Sequence, residues 1–463
     1  MLRRSAPEEP EWYRTATRSL LLAEEEGRTD SRKKILEQQR AYEQQQAQAA
    51  QLAQQHHVHQ QQAYQAQVAY QQAQYQAWMQ QQQYSAHYVT AQAQANPTPR
   101  PTLRTWLLGG VVAVGAFLLF LLTALGFGLS YGIVLTAVSL LAALIPLAIV
   151  TPIFLWLDRF EAEPWRYLLT AFLYGALFAT LLAGFINGLA MGFFQTLTDK
   201  ESAYTLTAVI SAPLGEETLK GLFLLVMWFL FRKQFNGFTD GLVYAGIVAA
   251  GFAFVENIQY LSDAYVLDGE AGFGATFVLR GLLTPFLHPM FTSMTGIGVG
   301  IAATSRSVPV KIFAPFIGWC TAVLLHGLWN LSGAAGALGL LVGLIVGFVC
   351  FVSFVGFLVW MRRREGRVIG EHLQAYAATG WISYEEVAML ASMKERRLAR
   401  TWAKYNRGSM GVKSMRSFQD TASELALLRF RMNSTAADQQ SLYRERVLLD
   451  SMTARRREFA GVV

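Results

Sequence analysis

From about residue 105 to residue 361 the chain is almost continuously apolar, in runs of roughly 20 residues separated by short loops. Runs of that length match the ~30 Å hydrocarbon core of a bilayer at 1.5 Å of helical rise per residue. In lipid every backbone N–H and C=O must be satisfied internally, and a helix does this within one segment. The chain is therefore expected to be an all-α polytopic membrane protein of about eight transmembrane helices. The spans are placed at about 104–126, 130–157, 166–195, 204–231, 238–261, 277–304, 311–332 and 336–361.

The flanking regions have a different composition. Residues 1–100 are polar and rich in Gln, with an almost uncharged Gln/Ala/Tyr tract that cannot bury a core and is expected to be disordered. His56, His57 and His59 in that tract read as low-complexity sequence, since no Cys or carboxylate accompanies them. Pro97, Pro99 and Pro101 form a stiff linker into the first span. The N-terminus lacks the apolar core of a signal peptide, so the first span is expected to direct insertion. Residues 362–463 carry 19 Lys and Arg against 11 Asp and Glu, and are expected to form a basic helical tail. Gly380 should stop one helix, and Ser383 with Glu386 should form a capping box for the next, Tyr384 to about Lys404. Contact with anionic lipid and a solvated tail are both open for this region. No nucleic-acid partner is expected. Cys320 and Cys350 lie within apolar spans and are expected to be small buried hydrophobes rather than a disulfide.

Charge sets the orientation. Arg100, Arg104, Arg159, Arg166, Arg232, Lys233, Arg306, Lys311 and Arg362 to Arg364 all fall on one side of the membrane in the eight-span topology. The opposite loops hold Asp199, Glu201, Asp263, Asp268 and Glu270 with a single Lys. The positive-inside rule then places both termini in the cytoplasm.

Within this apolar region, the fourth span contains Glu216, Glu217 and Lys220. A charge at the bilayer centre costs at least ~2.5–3.5 kcal/mol on insertion scales, so three in five residues require a purpose. Pro213 and Gly215 suggest a kinked or broken entry that admits water. Glu256 and Asn257 lie in the fifth span, Arg280 and His288 in the sixth, and His326 and Asn330 in the seventh. Arg280, Thr284, His288 and Thr292 share one helical stripe. Antiparallel spans place the carboxylates and both imidazoles in the outer half of the membrane, within roughly 10 Å of one level. Such an inventory suits activation of water by a buried carboxylate. A structural ion-pair network, above all Glu256 with Arg280, is the competing reading. A transporter or channel with an acidic pathway is the alternative function, but it would spread charge through the membrane and show internal repeats.

The ordered set Glu216-Glu217-x-x-Lys220, Phe252-x-x-x-Glu256-Asn257, His288 and His326-x-x-x-Asn330 resembles the motifs of the PrsW family of intramembrane proteases. That family is itself similar to the CAAX-protease superfamily. The loop Asp158-Arg159-Phe160-Glu161-Ala162-Glu163-Pro164 resembles an acidic-Pro motif of the same family. The resemblance covers about residues 140–335. It implies a peptidase that cuts a membrane-anchored substrate, with an anti-sigma factor as the suggested substrate class, in the plasma membrane of a bacterium. It implies Glu216, Glu217, Glu256, His288 and His326 as catalytic residues, supported by Lys220, Asn257, Arg280 and Asn330. No H-E-x-x-H motif is present. Zinc held by Glu256, His288 and His326, with Glu217 as base, and a metal-free glutamate mechanism are both consistent with these residues. Glu217 is the expected base, because i,i+4 spacing is expected to pair Lys220 with Glu216.

Overall fold

The computed structural model describes residues 103–460 apart from 232–234, 236 and 435–438, together with scattered helical positions between residues 15 and 62. Most of the Gln-rich tract, His56, His57 and the Pro97–Pro101 linker lie outside the described residues. Residues 39–49, which are described, are helical.

Beyond residue 103 the described chain is helical apart from short connections such as 158–164 and 305–307. The elements are α1 (Leu103–Tyr131), α2 (Ile133–Leu157), α3 (Trp165–Leu173), α4 (Thr180–Gln195), α5 (Lys200–Leu206) and α6 (Ala212–Leu230). They continue as α7 (Phe238–Thr276), α8 (Leu287–Thr304), α9 (Val308–Ala334), α10 (Gly336–Ala378), α11 (Tyr384–Ala391), α12 (Met393–Ser434) and α13 (Gln439–Ala460). Wider π-helical turns at Tyr174–Ala179, Thr207–Ser211 and Phe277–Leu283 join α3 to α4, α5 to α6, and extend α7. Among the described residues six helical stretches are long and apolar enough to cross a membrane, and the protein is an all-α, multi-pass membrane protein. One stretch, Phe238–Thr304, covers two of the expected spans because it folds back on itself. The expected fourth span, about 204–231, falls on the helical stretch from Lys200 to Leu230, and its three charged residues set it apart from the others.

Two expected loops are absent as such. The chain is helical up to Tyr131, and Gly132, at φ 82°, forms the junction between α1 and α2. Residues 261–275 are also helical, and the reversal comes from Asp268 and Gly269, where Gly269 takes φ 61°. A Cβ is disfavoured there, so one glycine supplies what a polar loop was expected to supply.

The centre of the membrane domain is α7. Leu242, Val243, Tyr244, Ala245 and Val248 are fully buried against α2, α3 and α8. Small residues make this close approach possible. A Cβ on Gly296 of α8 would lie 2.2 Å from the carbonyl oxygen of Gly241, and one on Gly251 would lie 2.2 Å from that of Phe172. Gly298 and Gly300 likewise press on α9 and on Phe238. Cys320 lies exposed on the outward face of α9, where lipid replaces the expected protein neighbours, and Cys350 is half-buried.

Past the membrane, α10 continues without interruption to Ala378, where Gly380 at φ 81° ends it. The Ser383–Glu386 capping box is formed, but its helix stops at Ala391 because Ser392 is extended, and α12 starts afresh. The helices α10 to α13 share a core of Ile369, Leu373, Tyr376, Leu390, Phe418, Leu425, Leu449 and Met452. Phe160, from the acidic-Pro loop, is buried in that same core, with Arg362 and Arg396 over its ring. The loop is also tied to the membrane domain: Tyr244 donates to Glu163 at 2.7 Å, and the Glu163 amide donates to Asp158 at 2.9 Å.

Burial pushes the Asp158 carboxyl up to about 8. Burial, then repulsion from Asp240, pushes Glu161 up to about 7 and Glu163 to about 9. These groups bind protons more tightly folded than unfolded, so the stability they contribute is present at low pH and is lost as pH rises through 7 to 9. In chelator-treated buffer the full chain should melt at a lower temperature at pH 9 than at pH 6, and Glu163→Gln should narrow that gap. Separately, Gly296→Ala should cost about 1–3 kcal/mol by forcing α7 and α8 apart, read as a lower melting temperature in detergent.

Candidate active site

Three charged side chains on α6 are held by the helix that follows the Thr207–Ser211 π turn. The entry is therefore widened rather than broken: the helix runs on through the π turn into α6, with Pro213, which has no N–H to donate, in the first turn. Asn330 of α9 donates to the carbonyl of Ala208 at 2.8 Å within that turn. This contact commits Asn330 to fixing the π turn rather than to the charged cluster.

Lys220 is completely buried and is surrounded by acceptors. Its Nζ lies 2.9 Å from Glu217 Oε1, 3.3 Å from Glu216 Oε2 and 3.2 Å from His288 Nδ1. The ring of Phe252 covers it, 3.9 Å from Nζ to the centroid. The expected preference of Lys220 for Glu216 is thus reversed, because Glu217 is drawn into a second set of contacts. Glu217 Oε1 is 3.1 Å from His326 Nδ1, and Oε2 accepts from Thr292 at 2.8 Å. Glu217 therefore has three partners and no exposure. Glu216 has Lys220 and, at 4.0 Å, His326 Nε2.

The tautomers follow from which atoms can donate. The Lys220 ammonium only donates, so His288 Nδ1 accepts, and its Nε2–H donates to Glu256 Oε2 at 2.8 Å. The Glu217 carboxylate only accepts, so His326 donates from Nδ1, and its Nε2 lies on the side of Glu216. The two imidazoles meet edge to face at 5.0 Å, with Phe291 stacked on His326 at 5.3 Å. Glu256 is held by Arg280, which also donates to Asn257 at 2.9 Å and lies over Tyr260 at 3.9 Å. One carboxylate atom of Glu216 and one nitrogen each of His288 and His326 lie within 4.8 Å of one another. Glu216, rather than Glu256, completes the three-donor group with both histidines.

Residues 163–361 match the profile of a family described as PrsW family intramembrane metalloprotease. The chain is 28% identical over 177 residues to Protease PrsW of Geobacillus kaustophilus, covering 37% of this chain and 69% of that one. It is 26% identical over 174 residues to Protease PrsW of Clostridioides difficile, with 37% and 69% covered. It is 28% identical over 202 residues to Protease PrsW of Oceanobacillus iheyensis, with 42% and 81% covered. No solved structure matches. Over residues 163–361 these matches support a PrsW-family intramembrane protease.

Glu216, Glu217, Lys220, Glu256, His288 and His326 lie inside the PrsW match, which begins within the acidic-Pro loop at Glu163, and the structure brings these six into one connected network. The expected stripe through Arg280, Thr284, His288 and Thr292 is interrupted, because the helix breaks between Leu283 and Leu287 at Thr284, Pro285 and Phe286. His288 and Thr292 remain on one face of α8, which is how Thr292 reaches Glu217. Phe252 was legible as the first residue of the Phe252-x-x-x-Glu256 motif, and Thr292 as the last member of the stripe through His288. If Thr292 fixes Glu217, Thr292→Val should cost about 1–3 kcal/mol of stability or of transition-state binding, by leaving a buried carboxylate oxygen unpaired. Thr292→Ser should restore it, with melting temperature and peptidase rate measured on the same preparations.

Proposed function

We propose that this peptidase hydrolyses a peptide bond of a membrane-anchored protein in the outer half of the bilayer, with Glu216 as the base that activates water. The observation carrying this reading is the 4.0 Å separation of Glu216 Oε2 and His326 Nε2. That spacing suits one water bridging the two, as polar contacts beyond hydrogen-bond range often do. Glu217 is saturated by Lys220, His326 and Thr292, so its role is to hold His326 by its Nδ1–H and to keep Lys220 charged. Glu216 would take the proton of the attacking water. The Lys220 ammonium, 3.3 Å from Glu216 Oε2, supplies positive charge beside it for the negative charge that develops on the carbonyl oxygen. Arg280, with Asn257 beside it, holds Glu256, and Glu256 in turn orients His288.

The donor set fits a metal. Two imidazoles and one carboxylate match a catalytic zinc site in type and number, and Glu216, His288 and His326 would be the ligands. Zinc would supply Lewis-acid polarisation and a more acidic bound water. Zinc would share two of its three donors with Lys220, whose ammonium lies against Glu216 and His288.

The distribution of Arg and Lys supports cytoplasmic termini, and the bacterial relatives support a bacterial plasma membrane. Three regions follow: a Gln-rich segment to residue 100, a protease domain at 101–361, and a helical cytoplasmic region at 362–463 that contacts anionic lipid through faces left free by its own core. An anti-sigma factor is the substrate class this reading favours. Protein reconstituted in liposomes should cleave a single-span substrate. Glu216→Gln and His326→Ala should each lower the rate by about 10²–10⁴-fold, the usual contribution of a general base and its partner. Undiminished cleavage by both would contradict the assignment. Chelator treatment with a metal count per chain reads out the zinc: loss of rate restored by zinc assigns it, and an unchanged rate assigns metal-free chemistry.

A further inference from the structure

The proposed chemistry leaves unused a groove formed by α6, α8 and α9. It has a volume of about 1000 Å³, and Leu222 and Phe229 of α6, Ala303 of α8, and Ile312 and Phe316 of α9 are among its apolar walls. Lys311, in the first turn of α9, is the one charged side chain among the residues that line it. No carboxylate lines it. At the other end Trp319 Nε1 donates to Thr218 Oγ1 at 3.1 Å and joins α9 to α6. No residue of α6 before Thr218, and none of α9 beyond Trp319, lines the groove. Thr218 directly follows Glu217, so the groove stops where the charged cluster begins.

Depth and charge together select the occupant. From Lys311 to Trp319 α9 rises about 12 Å, and from Phe229 to Thr218 α6 rises about 16 Å, at ~1.5 Å per residue. Half of a ~30 Å hydrocarbon core is about 15 Å. The groove therefore has the depth of one leaflet, with its cation at headgroup level and its closed end near the bilayer centre. A substrate helix crosses both leaflets, and the basic residues that flank such helices on the inner side would meet Lys311 as like charges. A phospholipid matches on both counts, since its anionic phosphate lies at headgroup level and its chains end at mid-membrane. We propose that this groove binds one phospholipid of the inner leaflet, with its phosphate on Lys311 and an acyl chain running between α6 and α9 to the Trp319–Thr218 contact. The leaflet follows from the orientation proposed above. Basic pockets between membrane helices on the cytoplasmic side hold lipid headgroups in this way, and apolar walls with one polar anchor are usual for a small-ligand site. Bound there, the chain packs against the face of α6 that carries Thr218 and Gly221, the residues next in sequence to Glu217 and Lys220.

The test reads lipid binding and needs no peptidase assay. Full-length protein in detergent, stripped of lipid, is titrated with phosphatidylglycerol, and in separate arms with phosphatidylcholine and diacylglycerol of the same acyl chains. Bound lipid is counted by native mass spectrometry while melting temperature is followed. One phosphatidylglycerol per chain should bind before further lipids add, and the melting temperature should rise with that first lipid. Phosphatidylcholine should bind more weakly, and diacylglycerol, which lacks the phosphate, more weakly still. Lys311→Gln should weaken phosphatidylglycerol binding by about fivefold and leave diacylglycerol unchanged, and Lys311→Arg should restore it. Leu222→Trp and, independently, Ile312→Trp, both at exposed positions of the groove, should remove the site by filling it. Leu338→Trp, also exposed but on α10 outside the groove, should bind lipid as wild type does. Phosphatidylglycerol binding that Lys311→Gln, Leu222→Trp and Ile312→Trp all leave unchanged would overturn the proposal. So would lipid that adds with no tight first step, which would mean an ordinary annulus around the helices. Release of the first lipid by one equivalent of a single-span peptide would assign the groove to substrate and overturn it equally.

Discussion

The ammonium of Lys220 is the interaction on which the membrane site depends. Two adjacent glutamates on one buried helix would repel each other and be too costly to hold in an apolar bundle. Lys220 contacts both, together with His288, and so ties α6 to α8. From there the network extends in two directions. Glu217 passes it to Thr292 and His326, and His288 passes it through Glu256 to Arg280. Four helical segments are held by one chain of charge-assisted contacts, and each member has a partner of opposite sign or a donor.

Packing supplies the precision. Close crossings of glycines along α7 and α8 set the distance between Glu256 and His288, and aromatic rings from Phe252 and Phe291 close the sides of the site. Two π turns flank the cluster, one held by Asn330 and the other carrying Arg280. Such turns occur often at functional sites because an extra residue re-aims the side chains that follow. Here they let α6 and the end of α7 aim charged groups inward while the apolar faces stay against lipid.

Much of this was legible in the sequence. The eight spans came from apolar run length, and the cluster came from charges that a fixed topology brings to one depth. Spacing alone misjudged Lys220, since i,i+4 favoured Glu216 while the tertiary partners Thr292 and His326 pull Glu217 closer. Asn330 looked like a member of the site because it lies one turn from His326, yet its amide is taken by a backbone carbonyl on another helix. The core shared by α10 to α13 was hidden by the high charge of the region, which masks the apolar positions beneath it. Phe160 likewise gave no sign, in a polar loop, that it would be buried two hundred residues away in sequence.

The account stands or falls on whether Lys220 neutralises Glu217 inside the membrane. Removing one member of a buried ion pair costs about 3–5 kcal/mol, and removing both costs far less. The direct measurement compares unfolding of wild type, Lys220→Met, Glu217→Gln and Lys220→Met/Glu217→Gln in one detergent. Lys220→Met should be severely destabilised, and the double variant should recover part of the loss, Glu216 still lacking its cation. A double variant no more stable than Lys220→Met, or a Lys220→Met protein that melts like wild type, would contradict the account.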